Sequence, residues 1–313
     1  MKKAWQLITA AILAMLIGGG CLSLAQLVDN QRTAAPLTVE TARLRSHLQA
    51  LSYERYAEPD RDTARTYLIE TLSTYGYEPA VQPFDGRNGR GVNLIATRPG
   101  TGVGTLLVGA HYDTVEETPG ADDNASAVAA TLELARLFAN ISTRRTVQFV
   151  LFDQEEVGLQ GSSAFVANSE NLANLQGAVI LEMIGYTCAE PGCQQYPPGL
   201  PPGLPARGTF LGVIGDMEHL ALLQAFQQQT AALQVLTLPV AAAAIAAQPD
   251  LFRSDHVPFW QSGIGAVMVT DTADFRNPHY HQPSDRIDSL DLPFLTTVTQ
   301  HVANTVQSLL DLP

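Results

Sequence analysis

The segment TVQFVLFDQEE, residues 146–156, is a strand-length run of large apolar residues that ends on two adjacent carboxylates. Such a run is typical of a parallel strand that is buried on both faces. Further apolar runs likewise end at or just before a His, Asp or Glu side chain: TLLVGAHYD (105–113), AVILEMIGY (178–186) and GIGAVMVTD (263–271). Because open α/β sheets bind ligands at the carboxyl ends of their strands, these runs predict a polar site at one edge of a sheet.

Strands and helices alternate along the chain from residue 37 onward. Apolar runs and period-two patterns predict strands at 79–84, 91–97, 105–110, 146–152, 177–184, 209–214, 233–239 and 264–270. Helical spacing of apolar residues predicts helices at 37–52, 60–75, 124–140, 160–168, 216–230, 255–262 and 291–311. The alternation predicts a single α/β domain, residues 37–313, with a mixed, mostly parallel central sheet flanked by helices.

The composition is that of a globular protein. The chain has 313 residues, of which 46% are hydrophobic and 16% charged, so it can bury a sizeable core. The net charge is −13, and Lys and Arg form no run. This charge balance argues against nucleic acid as a partner.

The N-terminus has the pattern of an export signal. Residues 1–25 combine a basic start, an apolar stretch at 4–17 and small residues before Ala25. An uncleaved membrane anchor over the same segment and a lipoprotein signal at Cys21 are the alternatives. A polar linker, residues 26–36, follows. The protein is therefore expected outside the cytoplasm, as a periplasmic, secreted or membrane-anchored protein.

Two cysteines support export. Cys188 and Cys193 lie in a loop rich in proline and glycine, residues 187–206. Their spacing allows a small disulfide in an oxidising compartment, and two free thiols are the alternative.

Polar residues at the first two strand ends suggest a metal site. His111 ends an apolar strand, and Asp113 lies two residues on, so both side chains point to the same side and the carboxylate could orient the imidazole. Glu155 and Glu156 stand at the mouth of a buried strand. In a metal site one of them would bind the ion and the other would accept a proton from water.

The remaining candidates are ambiguous one by one. Asp122 and Asp123 directly precede a helix, where they fit either a helix cap or a metal site. Glu182 interrupts a buried run, and a lone charge there costs several kcal/mol unless it is paired or bound to metal. The segment NPHYHQPSD, 277–285, contains two histidines between prolines, which favours a loop that supplies one ligand and not two.

Taken together and in this order, the segments resemble the M28 family of co-catalytic zinc peptidases, which includes secreted bacterial aminopeptidases. The resemblance extends from about residue 40 to 311. Its motifs are GAHYDTV, GADDNAS, FDQEEVGLQGS, MIGY, SDHVPFW and NPHYHQPSD.

The resemblance implies a site with two Zn²⁺ ions. One ion would be held by His111, Asp123 and Glu182, and the other by Asp123, Glu156 and His281. Asp122 would not be a ligand, and the peptide bond between Asp123 and Asn124 would be cis.

The resemblance also implies three catalytic residues. Glu155 would be the general base, Asp113 would lie behind the first histidine, and Tyr280 would steady the tetrahedral intermediate. Asp255 and His256, at the start of a predicted helix, are expected behind the ligands or in the pocket lining, with helix capping as the alternative. Glu182 stands where many members carry aspartate. Whether a metal ion occupies the site to which Glu182 contributes is therefore a point to test.

The implied function is that of a zinc-dependent exopeptidase. An aminopeptidase is favoured, in which a water between the two metals loses its proton to Glu155 and attacks the peptide carbonyl. The alternatives are an acyltransferase of the glutaminyl cyclase type, a carboxypeptidase or dipeptidase, and a non-catalytic binding domain. A peptide is the expected partner, and the sequence leaves the oligomeric state open.

Overall fold

The computed structural model describes residues 37–228, 233–241 and 248–312. The predicted export segment, 1–25, and the linker, 26–36, lie outside the described residues. Within the described ranges, no helix has the length and apolar character that crossing a membrane requires.

One sheet of eight strands forms the centre of the domain. In chain order the strands are β1 (Ala80–Gly86), β2 (Gly89–Arg98), β3 (Thr105–His111), β4 (Thr146–Phe152), β5 (Leu175–Glu182), β6 (Phe210–Asp216), β7 (Gln234–Val240) and β8 (Ala266–Thr270). Across the sheet their order is β1-β2-β4-β3-β5-β8-β6-β7.

The sheet is mixed, with a parallel centre. Strands β4, β3, β5 and β8 are parallel neighbours, and β6 and β7 form a further parallel pair. The pairs β1–β2, β2–β4 and β6–β8 are antiparallel. The carboxyl ends of the four central strands therefore meet at one edge, which we call the site edge.

Helices cover both faces of the sheet. They are α1 (Thr41–Leu51), α2 (Glu58–Thr74), α3 (Ala127–Phe138), α4 (Gln160–Ala167), α5 (Ser169–Leu172), α6 (Leu220–Gln228), α7 (His256–Gln261) and α8 (Leu292–Leu310). Side chains of α1, α2, α3, α6 and α8 join the larger core, whereas Phe165 of α4 and Phe259 of α7 pack in a smaller core on the opposite face.

The strand pattern explains why both faces are covered. In β4, Phe149 and Leu151 belong to the larger core, and Val150 and Phe152 between and beyond them belong to the smaller one. Period-two alternation thus gives each face an apolar surface, which only packed helices can keep from water.

The last helix runs from the site edge, where the central strands end, to the opposite edge, where they begin. Asp291 caps α8 by accepting a hydrogen bond from the N–H of Phe294, and its own N–H donates to Gly185, just past β5 at the site edge. At the far end of α8 the carbonyl of Leu310 accepts from the N–H of Arg145, just before β4.

The predicted fold class is confirmed. Each predicted strand and helix has an observed counterpart, with shifts of a few residues at the ends. The predicted helix at 124–140 begins later, at Ala127, because Ala121–Ser126 form a separate turn of π-type hydrogen bonding. The helix α5 was not predicted, since its four residues are too few to show a period.

Candidate metal centre

The predicted polar residues meet at the site edge. His111 is the last residue of β3, Glu182 is the last residue of β5, and Glu155 and Glu156 follow β4. The fold therefore converts residues that are far apart in sequence into neighbours.

Asp123 reaches the cluster from the turn before α3. The carboxylate of Asp285 accepts hydrogen bonds from the N–H groups of Asp122, at 2.9 Å, and Asp123, at 3.0 Å. The side chain of Asn124 bonds the backbone of β5 and the residue after it, Leu181 and Met183, at 3.1 and 3.0 Å. The peptide bond between Asp123 and Asn124 is cis, as predicted.

The two carboxylate oxygens of Asp123 face two different groups. Its Oδ1 lies 3.4 Å from His111 Nε2, which is in turn 3.5 Å from Glu182 Oε2. Its Oδ2 lies 3.2 Å from His281 Nε2, which is 3.1 Å from Glu156 Oε2. We call these the His111 group and the His281 group.

Several buried nitrogen and oxygen atoms of the two groups have no hydrogen-bond partner among the described residues. In the described part of the chain no hydrogen-bond partner exists for His111 Nδ1 and Nε2, Asp123 Oδ1, Glu156 Oε1 or His281 Nε2. A buried polar atom without a partner costs about 1–3 kcal/mol. Ligand atoms of His111, Asp123 and Glu156 lie within 4.8 Å of one another, and imidazole and carboxylate suit zinc. The cluster therefore fits a zinc site.

Burial and charge shift the pKa values of the cluster in opposite directions. Burial alone would raise the pKa of Asp123, but His111 and His281 hold it well below its usual range. Burial raises the pKa of Glu155 well above its ordinary value; His111 opposes this rise, and Glu182 and Glu156 add to it. Burial raises the pKa of Glu156 to about 7.

Asp113 connects the two strand ends. One of its oxygens accepts the N–H of Glu155 at 3.0 Å, and the other accepts the N–H of Glu156 at 3.2 Å. The first oxygen is also 3.4 Å from His111 Nδ1. The carboxylate thus lies beside the histidine and also holds the backbone of Glu155 and Glu156, a contact that the sequence did not indicate.

Asp122 and His279 stay outside the cluster. Asp122 accepts the N–H of Gly185 at 2.9 Å and the side-chain amide of Asn277 at 2.7 Å. His279 Nδ1 lies 2.8 Å from Ser284 Oγ. The polar atoms of these two side chains therefore have partners outside the His111 group and the His281 group.

The structure adds supporting residues that could not be predicted from the sequence. Ser254 Oγ donates to Glu182 Oε2 at 2.7 Å. The buried guanidinium of Arg55 donates to the backbone carbonyls of Tyr112, Pro119 and Gly120, so it fixes the loop between His111 and Asp123. The hydrogen bonds of this guanidinium all go to backbone carbonyls, which leave no pattern in a sequence.

Asp255 and His256 have different surroundings. Asp255 is fully buried, and neither of its oxygens has a hydrogen-bond partner in the described ranges. Burial raises its pKa to about 7, and the nearby His111 opposes that rise. His256 instead packs in the interior against Trp260, with its Nε2 3.0 Å from the carbonyl of Leu251.

A cavity of about 200 Å³ opens beside Glu182, Ser254 and Tyr280. Its floor is formed by β6, β7 and β8, and its residues there include Phe210, Ile214, Leu236, Leu238 and Met268. Its outer wall is the proline-rich loop, through Tyr196, Pro197, Leu200, Pro201 and Leu204. The lining is therefore mainly apolar.

The wall of the cavity is held by specific contacts. Cys188 and Cys193 form a disulfide, as the sequence predicted. The guanidinium of Arg276 donates to Gln194 Oε1 and to the carbonyl of Phe210, each at 2.8 Å, and lies over the Phe210 ring. Tyr196 stacks on the same ring. The loop is thus an ordered part of the cavity.

The sequence matches the model of peptidase family M28 over residues 93–306. It is 34% identical to the uncharacterised protein YfbL of Escherichia coli K12, over 75% of this chain and 76% of that protein. It is 28% identical to aminopeptidase YwaD of Bacillus subtilis, over 59% of this chain and 36% of that protein. The chain therefore spans little more than a third of the second relative.

Solved structures share the fold. The zinc aminopeptidase BSAP of Bacillus subtilis superposes with a TM-score of 0.68 at 15% identity, over 88% of this chain and 97% of that one. A glutaminyl cyclase of Macrostomum lignano gives a TM-score of 0.67 at 19% identity, over 88% and 91%.

The fold is that of the zinc aminopeptidases, and its site edge carries imidazoles and carboxylates that fit zinc. The chain belongs to peptidase family M28. The resemblance and the enzyme class predicted from the sequence are therefore confirmed.

Proposed function

We propose that the protein is a zinc-dependent aminopeptidase that removes N-terminal residues from peptides. The observation that carries the proposal is the carboxylate of Asp123, whose oxygens face the His111 group and the His281 group separately. Membership of a peptidase family and the supporting position of Asp113 agree with it.

We propose two zinc ions, one for each group. His111, Asp123 and Glu182 would hold the first, and Asp123, Glu156 and His281 the second. Zinc in these positions would act as a Lewis acid that activates water and polarises the peptide carbonyl.

The chain's own residues would move the protons. Glu155 is buried beside His111 and Glu182, and its raised pKa makes the carboxylate a stronger base, so it would accept a proton from the attacking water and pass it to the leaving amine. Asp113 keeps the backbone of Glu155 in place. The Tyr280 hydroxyl, at the rim of the cavity, would donate to the oxygen of the substrate that gains negative charge.

The apolar cavity suggests which peptides the enzyme accepts. It opens beside Glu182 and Tyr280, next to the groups that would carry out hydrolysis. A side chain that enters it leaves water for an apolar surface, which stabilises binding by about 25 cal/mol per Å² of buried apolar area. We therefore expect a preference for N-terminal residues with large apolar side chains.

We also propose that the protein acts outside the cytoplasm. The disulfide between Cys188 and Cys193 and the signal-like residues 1–25 support this location, with residues 37–313 as the catalytic domain.

The main alternative is cyclisation of N-terminal glutamine. It is supported by the likeness to a glutaminyl cyclase, whose TM-score of 0.67 is close to that of the aminopeptidase. The reactions differ in their products, since a cyclase forms pyroglutamate and releases ammonia without cleaving a peptide bond.

One experiment separates these functions. The purified protein is analysed for metal and assayed with the 4-nitroanilides of leucine, alanine and aspartate, with an N-acetylated peptide, and with a peptide that begins with glutamine. We expect close to two zinc ions per chain and fastest turnover of the leucine substrate. Pyroglutamate with one zinc would favour the cyclase, hydrolysis of the acetylated peptide would favour a carboxypeptidase, and no turnover at all would contradict an enzyme.

A further inference from the structure

The hydroxyl of Tyr280 has one neighbour that fixes its direction. Arg253 Nη2 donates to Tyr280 Oη at 3.0 Å, and the guanidinium carbon lies 5.6 Å from the centre of the tyrosine ring. On its other side the ring stacks on the imidazole of His281, with centroids 3.8 Å apart. Tyr280 is thus held between an arginine and a residue of the His281 group.

The chemistry of the pair determines where the phenolic proton points. A guanidinium can only donate hydrogen bonds, so the Tyr280 oxygen must accept from Arg253. In the described part of the chain the hydroxyl has no acceptor of its own. A phenolic hydrogen lies near the plane of its ring and has two directions available. Because the bond from Arg253 occupies one of them, the proton is directed the other way, where it is free for a bound ligand.

Two carboxylates hold the guanidinium of Arg253 on the side away from Tyr280. Its Nη1 lies 3.2 Å from Asp274 and 3.5 Å from Asp250, while Nη2 faces Tyr280. The two carboxylates neutralise the guanidinium and fix its plane. They also make Arg253 a poor site for a substrate carboxylate, which is what a carboxypeptidase or dipeptidase would need from an arginine at the cavity rim.

We propose that Arg253 is a positioning residue that directs the proton of the Tyr280 hydroxyl toward the substrate oxygen. The inference rests on the proposed aminopeptidase function. It adds a chain of contacts in which Asp274 holds Arg253 and Arg253 orients the hydroxyl of Tyr280. Arg253 acts only through Tyr280 and does not itself touch the substrate.

A double-mutant cycle tests this coupling. Arg253→Met, Tyr280→Phe and the double variant are compared with the wild type for kcat and KM on leucine 4-nitroanilide. Loss of one hydrogen-bond donor to a developing oxyanion costs about 10²-fold in kcat, which we expect for Tyr280→Phe. Arg253→Met should lower kcat roughly tenfold, because the Tyr280 hydroxyl would then point away from the substrate for much of the time. In the Tyr280→Phe background, which lacks the hydroxyl, Arg253→Met should lower kcat no further.

Two controls keep the result interpretable. Arg144→Met removes an exposed arginine at the opposite edge of the sheet and should leave kcat unchanged. Arg253→Lys retains the charge and an ammonium group that can donate to the Tyr280 oxygen, so it should recover part of the lost kcat. If Arg253→Met does not fold, Arg253→Gln takes its place in the cycle.

A binding measurement supplies a readout without turnover. The phosphonic acid analogue of leucine mimics the tetrahedral state, and leucine mimics the product. We expect Arg253→Met to weaken the phosphonate roughly tenfold in calorimetry and to leave leucine binding unchanged.

Equal losses of kcat from Arg253→Met in both backgrounds, or no loss in either, would overturn the role of Arg253 while the aminopeptidase function stands. A wild-type protein that hydrolyses no aminoacyl anilide would instead contradict the proposed function, and the phosphonate measurement would then decide on the coupling alone.

Discussion

Asp113 accepts a 3.0 Å hydrogen bond from the backbone N–H of Glu155. The same carboxylate also accepts the N–H of Glu156 and lies 3.4 Å from the imidazole of His111. One side chain therefore joins the end of β3 to the segment after β4. The spacing between the first histidine and the glutamate pair depends on this carboxylate.

Replacing Asp113 by asparagine should weaken the metal site. The amide keeps one acceptor oxygen but turns a donor toward the other backbone N–H, so one of the two bonds is lost and His111 loses a carboxylate neighbour. Loss of such a partner lowers zinc affinity by about 10–100-fold. Competition with a chromogenic chelator measures this change. The exposed Asp311→Asn is the matched control, and equal zinc affinity in Asp113→Asn and the wild type would disprove the supporting role.

Replacing Glu155 by glutamine should separate metal binding from turnover. The amide has the same shape but cannot accept a proton, so kcat should fall by roughly 10²–10⁴-fold. The zinc content should stay at the wild-type level, because the two proposed metal groups do not include Glu155. Metal analysis and anilide turnover are measured on the same sample, with the exposed Glu70→Gln as control. Wild-type kcat in Glu155→Gln would remove this residue from the reaction.

Arg276→Met should reduce the preference for large apolar residues. Arg276 bonds Gln194 and the carbonyl of Phe210, and these contacts keep the proline-rich loop against the cavity floor. A hydrogen bond to a charged group contributes about 1.5–3 kcal/mol, so the ratio of kcat/KM for leucine over alanine anilide should fall by roughly tenfold. The alanine substrate serves as the internal reference. An unchanged ratio would mean that the loop does not define the cavity.

The buried His256 should make stability depend on pH. Burial lowers its pKa from 6.5 to about 4, so the folded protein keeps it neutral where the unfolded chain protonates it. Between these pH values the unfolded state binds more protons, and the contribution of His256 to stability falls as the pH falls. Buried carboxyls such as Asp153, whose pKa is raised to about 6 by burial, act in the opposite direction.

The contribution of His256 therefore has to be measured as a difference. Urea unfolding of the wild type and His256→Gln is followed at several pH values between 4 and 7. The free energy of unfolding of the wild type minus that of His256→Gln should fall by about 3 kcal/mol as the pH falls through this range, since each pKa unit corresponds to 1.36 kcal/mol. Parallel stability curves for the two proteins would contradict the lowered pKa.

The sequence predicted the elements whose signal is local. Apolar runs located each strand, and the charged residues at their ends located the site, because parallel strands bring their carboxyl ends to one edge. The roles of Asp122 and His281 and the cis bond after Asp123 came from the resemblance, since nothing in their spacing alone distinguished a ligand from a helix cap.

Contacts that depend on the folded backbone could not be predicted. Arg55 bonds carbonyl groups, and Asp285 bonds N–H groups, so neither interaction selects a residue type at the other end. Ser254, two residues before α7, reaches Glu182 only because this segment and the end of β5 approach in space. The loop 187–206 has no periodic pattern. Its place as a cavity wall depends on the Phe210 ring and on Arg276, which is 82 positions from its partner Gln194.

The course of α8 has a practical consequence. The helix begins beside Gly185 at the site edge and ends beside Arg145 at the opposite one. A linker attached after this helix would therefore leave the domain on the side remote from the cavity beside Glu182. The protein could be tethered to a sensor chip through the end of its last helix, with the cavity facing the flowing solution.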